Sequence, residues 1–227
     1  YTLDWYTKID QAYWLALATS FGVAVASTLA AVALGIPAAL GLVRSRFAAK
    51  PLVAAVFRAP VQIPAVVSGV AFLQFYYVVG EATGWPLVGS FFGLWLAHVF
   101  IATPYVVSSV GAVLHRFNVR LEEAALTLGA SRWSTLRRVT LPVIMPGVYS
   151  GATYAFMVSF SDLPISLFLA SEEVRTFPVV LFQAMDYDFN PSLLAVSTFI
   201  IAFAFVAMWC FQKLIGLDTL LRSSGSK

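Results

Sequence analysis

Five stretches of this chain carry no charge. Gln11 to Val43 runs for 33 residues without Asp, Glu, Lys or Arg, Ala59 to Gly80 for 22, Ala82 to Leu114 for 33, Val139 to Ser161 for 23 and Phe189 to Gln212 for 24. A helix crossing a bilayer needs roughly 20 mostly apolar residues, because hydrocarbon offers no partner to a charge or a free backbone group. Each run is long enough. The expectation is an all-α, polytopic membrane helix bundle with five spans, at about 13–43, 59–79, 91–114, 142–161 and 191–213, in a single transmembrane domain over 1–227. Charged residues make up 11% of the chain and hydrophobic ones 60%, whereas soluble domains carry about 25% charged residues. A water-soluble core is therefore excluded. A cleaved signal sequence is shorter and does not recur along a chain.

The charges that remain set an orientation. Arg44, Arg46, Lys50 and Arg58 follow the first run; Arg116, Arg120, Arg132, Arg137 and Arg138 follow the third; Lys213, Arg222 and Lys227 follow the fifth. With five spans these segments share one side, and they hold 12 of the 14 Lys and Arg. By the positive-inside rule that side is cytoplasmic. The other side holds Asp4, Asp10, Glu81, Asp162, Glu172, Glu173, Asp186 and Asp188, 8 of the 11 acids. Residue 1 is expected outside and the C-terminus in the cytoplasm. The net charge of +3 thus reflects topology and gives no reason to expect nucleic acid. Tyr1 to Tyr6 reads as an interfacial aromatic segment, and a further span before it is expected.

Prolines mark bends. Pro37 is expected to bend or end the first span, Pro60 and Pro64 to open the second, and Pro142 to start the fourth. Gly147, Gly151 and Ala155 recur every four residues and form a small-residue face on which another helix can pack closely. The segment from Asp162 to Asn190 is too polar to span and is expected to be an outer loop with short helices. The lone Cys210 has no partner for an internal disulfide and reads as a packing residue. No metal-binding cluster is seen.

The segment 118–140 is a short polar insertion in an otherwise strongly apolar chain. Asn118 can cap a helix, and Leu121, Ala124, Ala125 and Leu128 repeat at helical spacing. Gly129 permits the positive-φ turn that ends such a helix. Ser131 can cap a second short helix carrying Arg132, Arg137 and Arg138. The product is a helix–turn–helix bracket, its small residues open to a partner's groove and Glu123 offering a carboxylate. A lipid-facing amphipathic loop with headgroup-binding arginines is the blander alternative.

Glu123-Ala124-Ala125, then Gly129, then Val139 and Leu141-Pro142 together resemble the EAA motif of type I ABC importer permeases. That motif runs Glu-Ala-Ala, three residues, Gly, nine residues, Ile, any residue, Leu-Pro. Val139 stands where Ile is usual. Leu121-Glu122 before it and Met145-Pro146 after it also resemble the family. The resemblance is strongest from Leu121 to Ala170 and extends loosely from about Tyr13 to Leu217. Within the family it is nearest to the spermidine/putrescine permeases of the "C" type. It implies a six-span fold, the first span missing here, and a loop at 118–140 that couples to an ATPase through Glu122, Glu123, Ala124, Ala125, Leu128, Gly129, Ala130, Leu141 and Pro142. It implies two cytosolic ABC ATPases, a second permease and a periplasmic solute-binding protein as partners, with membrane lipid around them. ATP and Mg would sit on the ATPases, with no cofactor on this chain. The implied substrate is a polyamine, although iron, phosphonate and opine importers use similar permeases.

Candidates for the substrate path are Asp162, Trp95, His98, Phe75 and Tyr76. A carboxylate at the end of a span is costly unless paired or hydrated, so Asp162 either meets a cation or is an ordinary interfacial acid. Aromatic faces attract cations, but an interfacial belt also accounts for Tyr76. His98 reads either as a pore residue or as a helix-to-helix hydrogen bond, the second being commoner. No G-x-x-x-x-G-K-[ST] occurs in the sequence, so no P-loop is present. An ion-driven secondary transporter, with paired repeats and intramembrane acids, and a membrane enzyme, with a catalytic constellation, are the competing classes. Neither needs the 118–140 bracket.

Overall fold

The computed structural model describes residues 9–187 and 195–202, and all regular structure among them is helical. Helix α1 covers Gln11–Arg44 and carries Pro37 without ending there. At 34 residues it is about 51 Å long, well beyond the roughly 30 Å of hydrocarbon. Helix α2 covers Lys50–Gln62, α3 Ala65–Thr83 and α4 Phe91–His115. The 118–140 segment holds α5, Arg120–Thr127, and α6, Arg132–Thr135. Helices α7, Leu141–Phe160, α8, Pro164–Leu169, and α9, Phe177–Tyr187, follow. Among the described residues four helical stretches are long and apolar enough to cross a membrane: Gln11–Arg44, Ala65–Thr83, Phe91–His115 and Arg132–Phe160. The fifth expected span, 191–213, lies outside the described residues except for a helical stretch at 195–202.

The second span departs from expectation. It runs from Ala65 to Thr83 rather than from 59 to 79, because the run of uncharged residues is cut in two. Pro64 forces Ile63 into an extended conformation (φ −82°, ψ 131°), as the residue before a proline must be. Pro60 therefore lies inside α2, a separate helix with no buried residue. Leu52 and Val56 are exposed on one side of it, with Lys50 and Arg58 on the other, the pattern of a helix lying at a membrane surface.

The chain divides into two compact units, residues 1–17 with 180–227 and residues 18–179. In the smaller one, the Trp14 and Phe199 rings meet at a tilt of 48° with centroids 5.7 Å apart, and Ala16, Ala195 and Val196 are buried.

The larger unit is organised on α4, whose buried residues run from Gly93 to Leu114. Helix α7 lies against it through the small-residue stripe. A methyl group on Gly151 would come within 2.8 Å of the Val106 Cα, and one on Gly147 within 2.9 Å of the Ser109 carbonyl. Ala155 is fully buried on the same face. Lipid tails are as apolar as leucine, so helices in a bilayer hold together by such close packing rather than by hydrophobic exclusion. Around this seam Ala31, Ala102, Val106, Val110 and Ile144 form one core. A second core, toward the other ends of the helices, gathers Val23, Tyr76, Leu94, Ala97, Ile165 and Leu169. Helix α8 is pressed onto α3, where Gly69 leaves room for the Phe168 ring and the Pro164 carbonyl. The Asp162–Tyr187 segment thus holds short helices as expected, but α8 is packed into the bundle.

Gly151→Val should lower the thermal unfolding midpoint of the purified protein, by an overpacking cost of about 1–3 kcal/mol. Gly111→Ala, where a methyl group meets nothing within 4 Å, should leave the midpoint unchanged or raise it.

Candidate functional site

The 118–140 bracket is built from local hydrogen bonds that its sequence dictates. The Asn118 Oδ1 accepts from the Arg120 N–H at 3.1 Å and fixes the start of α5. At its end, the Gly129 N–H donates to the Leu126 carbonyl and the Ala130 N–H to the Ala125 carbonyl, both at 3.0 Å. This pair of bonds is the Schellman closure, and it needs a residue in the left-handed region. Gly129 supplies it at φ +86°, and a methyl group there would meet no neighbour. Its role within this chain is therefore conformational rather than a matter of tight packing. The Ser131 Oγ then accepts from the Ser134 N–H at 3.2 Å, capping α6 as the sequence predicts.

Beyond α6 the bracket differs from the expected short second helix. Arg132–Thr135 continues through a π-helical turn, Leu136–Thr140, into α7. The Leu141 N–H reaches back five residues to the Leu136 carbonyl. Pro142 follows at once. It lacks an N–H, and its ring crowds the carbonyl four residues earlier, so the wider turn accommodates what would break a regular helix. The fourth span accordingly starts at Arg132, not Pro142, and the second limb of the bracket is the end of a membrane-spanning rod.

Glu122 ties the bracket to two other elements. Its carboxylate pairs with the Arg44 guanidinium at 2.5 Å and accepts from the Thr140 hydroxyl in the π turn. Arg44 ends α1 and also lies over the Phe117 ring, 5.5 Å from its centroid. Glu122 therefore faces inward as an anchor, while Glu123 is exposed and its carboxylate has no partner among the described residues. Ala124 is exposed and Ala125 and Ala130 half-buried, whereas Leu141 packs on the core. The outer surface is more apolar than a solvated loop requires. Leu128 is 89% exposed and Trp133 69%, with Leu121 and Leu126 also exposed. Trp133 was not among the sequence candidates. Its signal was a large aromatic side chain inside the otherwise polar, arginine-bearing 131–138 segment.

The substrate-path candidates do not form one site. Phe75 is exposed in a shallow apolar groove with Ile63, Val67, Phe72 and Phe100. Tyr76 is buried and donates to the Gly93 carbonyl at 2.8 Å, so it joins α3 to α4 instead of belonging to an interfacial belt. Trp95 packs on Phe92, and its buried indole N–H has no partner among the described residues. His98 and Asp162 do come together. The His98 Nδ1 is 2.8 Å from the Ser159 Oγ and its Nε2 is 3.1 Å from the Ser166 Oγ. Asp162 accepts from the Ser166 N–H at 2.9 Å and from its hydroxyl at 3.1 Å. One proton assignment satisfies every member: Ser159 donates to Nδ1, Nε2–H donates to Ser166, and Ser166 donates to Asp162. All four side chains are buried. His98 is thus a helix-to-helix link, and Asp162 caps α8 from inside rather than standing at the surface.

A membrane bundle whose adjacent spans are bridged by a rigid, outward-facing bracket is the architecture of an ABC importer permease. The comparisons agree. The family model of the binding-protein-dependent transport system inner membrane component matches residues 31–216, and the chain belongs to that family. It is 34% identical over 200 residues to the putrescine transport system permease protein PotI of Escherichia coli (strain K12), covering 87% of this chain and 71% of PotI. It is 28% identical over 227 residues to the spermidine/putrescine transport system permease protein PotC of the same strain, covering 99% and 83%. Among solved structures, the inward-facing MetNI methionine ABC transporter superposes with a TM-score of 0.71 at 17% identity, over 94% of this chain and 97% of that one. The protein is a membrane permease subunit of the ABC importer class.

Two outcomes test this geometry. Ser166→Ala removes a donor to Asp162 and an acceptor for His98 together; it should destabilise the protein by about 1–3 kcal/mol, while Ser161→Ala, at an exposed site, should cost under about 0.5 kcal/mol. A double-mutant cycle on Arg44 and Glu122 should return a coupling of about 1 kcal/mol; additivity of the two single changes would show that the ion pair does not hold the bracket.

Proposed function

We propose that this permease carries a polyamine or similar small organic cation and that its 118–140 bracket is the contact through which ATPase motion reaches the spans. The observation that carries the coupling role is the continuity of the bracket with α7 through the π turn, together with its outward-facing Leu128, Trp133 and Glu123. A force applied to the bracket reaches α7 along its own axis and α1 through Arg44–Glu122. Residues Glu123, Ala124, Ala125, Leu128, Gly129 and Ala130 present or shape the docking surface; Glu122, Leu141 and Pro142 join it to the bundle. The partners are two cytosolic ATPases, which hold ATP and Mg, a second permease and a periplasmic binding protein. In this reading the bracket and the C-terminus are cytoplasmic, and the chain itself performs no hydrolysis.

The polyamine assignment is supported by the substrates named for PotI and PotC and by the acids gathered on the expected outer side. Of the path candidates, Asp162 and His98 hold α8 in place at the outer part of the bundle. A permease for iron, a phosphonate or an opine is the alternative solute, and an ion-driven transporter the alternative class.

Glu123→Lys and Gly129→Asp should each abolish ATP-driven putrescine uptake while the protein still inserts. Gly129→Asp places a side chain in a backbone region that costs non-glycine residues about 1–2 kcal/mol. ATPase recovery on a tagged permease is the second measurement. Wild-type amounts of ATPase with both variants would overturn the docking role.

A further inference from the structure

We infer that the seam between α4 and α7 at Tyr105 and Tyr154 is a wall of the translocation path, where a cationic substrate meets two tyrosine rings. The substrate class rests on the polyamine reading above; the placement of the path does not. Tyr105 lies within about 5 Å, along the axis, of the midpoint of α4, and Tyr154 is beside it, away from the interfacial level at which aromatic belts form. Tyr154 is 54% exposed and Tyr105 half-buried. The two rings stack with centroids 6.5 Å apart and planes 25° from parallel. Neither phenol hydroxyl has a hydrogen-bond partner among the described residues. Lipid tails cannot supply one, and a tyrosine hydroxyl buried without a partner is costly.

The neighbours of this pair agree. Ser108 on α4 is exposed; on α7 Ser150 is half-buried and Met157 exposed, as is Ser161 just past its end. Helical spacing puts these residues on the flank that carries the tyrosines. They make a ribbon of hydroxyls and polarisable groups from mid-span toward the Asp162 end of α7. Tyr149 provides the contrast. It is also exposed, but it lies about 140° around α7 from Tyr154, on the side of the stacked Phe156 and Phe160 rings. Asp162 is occupied by Ser166, so the described seam offers a passing ammonium group ring faces and hydroxyls rather than a carboxylate. Ring faces attract cations more strongly once water is removed, yet bind them without the depth of a buried ion pair, which suits a site that must release its cargo.

The test uses the assembled transporter in membrane vesicles, with Cys210, the single cysteine of the sequence, replaced by Ser. Tyr154→Cys and Tyr149→Cys are exposed to a membrane-impermeant cationic thiol reagent, and labelling of this chain is read by mass spectrometry with and without putrescine and its binding protein. The expected result is labelling at Tyr154→Cys that putrescine slows, with none at Tyr149→Cys. Tyr154→Ala should raise the half-saturating putrescine concentration for uptake about tenfold, while Tyr154→Phe, which keeps the ring, should stay within about threefold of wild type. Failure of Tyr154→Cys to label in a transport-competent complex would show a dry contact and overturn the proposal. Equal effects of Ala and Phe would overturn the role of the ring. If the wild-type complex takes up no polyamine but Tyr154→Cys labels and Tyr149→Cys does not, the path assignment stands and the substrate reading alone falls.

Discussion

The close contact between α4 and α7 is the constraint on which the rest of the larger unit depends. Gly147 and Gly151 let the two backbones approach until a single added methyl group would meet main-chain atoms. In a bilayer this proximity replaces the exclusion of water as the source of cohesion. The same two helices are joined at one end by the 118–140 bracket. They are linked further along by the stacked tyrosines and, at the far end, by His98 and Ser159. Chemistry therefore changes along one seam, from small-residue packing, through aromatic contact, to a buried chain of serine hydroxyls, imidazole and carboxylate.

The bracket itself is continuous with one of these two helices. A rod of 29 residues, Arg132–Phe160, runs from the bracket through the span. Its π turn sits where Pro142 forbids a regular hydrogen bond and where Thr140 meets Glu122. Turns of this kind recur at functional sites because they place a wider, adaptable segment inside a rigid helix. At the opposite end of the rod, Asp162 accepts two hydrogen bonds from Ser166 and fixes the start of α8.

Much of this was legible in the sequence for simple reasons. A charge-free run of sufficient length has one stable solution in hydrocarbon, so the helical class followed directly. Asn118, Gly129 and Ser131 act on backbone groups within a few residues of themselves, and their caps and turn formed where their chemistry placed them. The stripe of Gly147, Gly151 and Ala155 was readable because helical periodicity alone puts them on one face. The start of the second span was misread because the run of uncharged residues did not reveal that Pro64 divides it. The start of the fourth was misread because Pro142 looks like a beginning, and only the π turn just before it lets the helix pass through.

Other roles were decided by contacts between residues far apart in sequence. Glu122 and Glu123 are neighbours of the same type, yet one pairs with Arg44, 78 residues away, and the other faces outward. Asp162 read as an outer acid until Ser166 and His98 closed around it, and Tyr76 as a belt residue until the Gly93 carbonyl met its hydroxyl. The sequence determined what its local chemistry and the low polarity of the membrane impose: helices, their caps and the likeness to a permease family. The tertiary structure alone decided which polar groups look inward, because a buried donor or acceptor is settled by whichever distant partner the packing brings within about 3 Å, and no spacing along one chain carries that information.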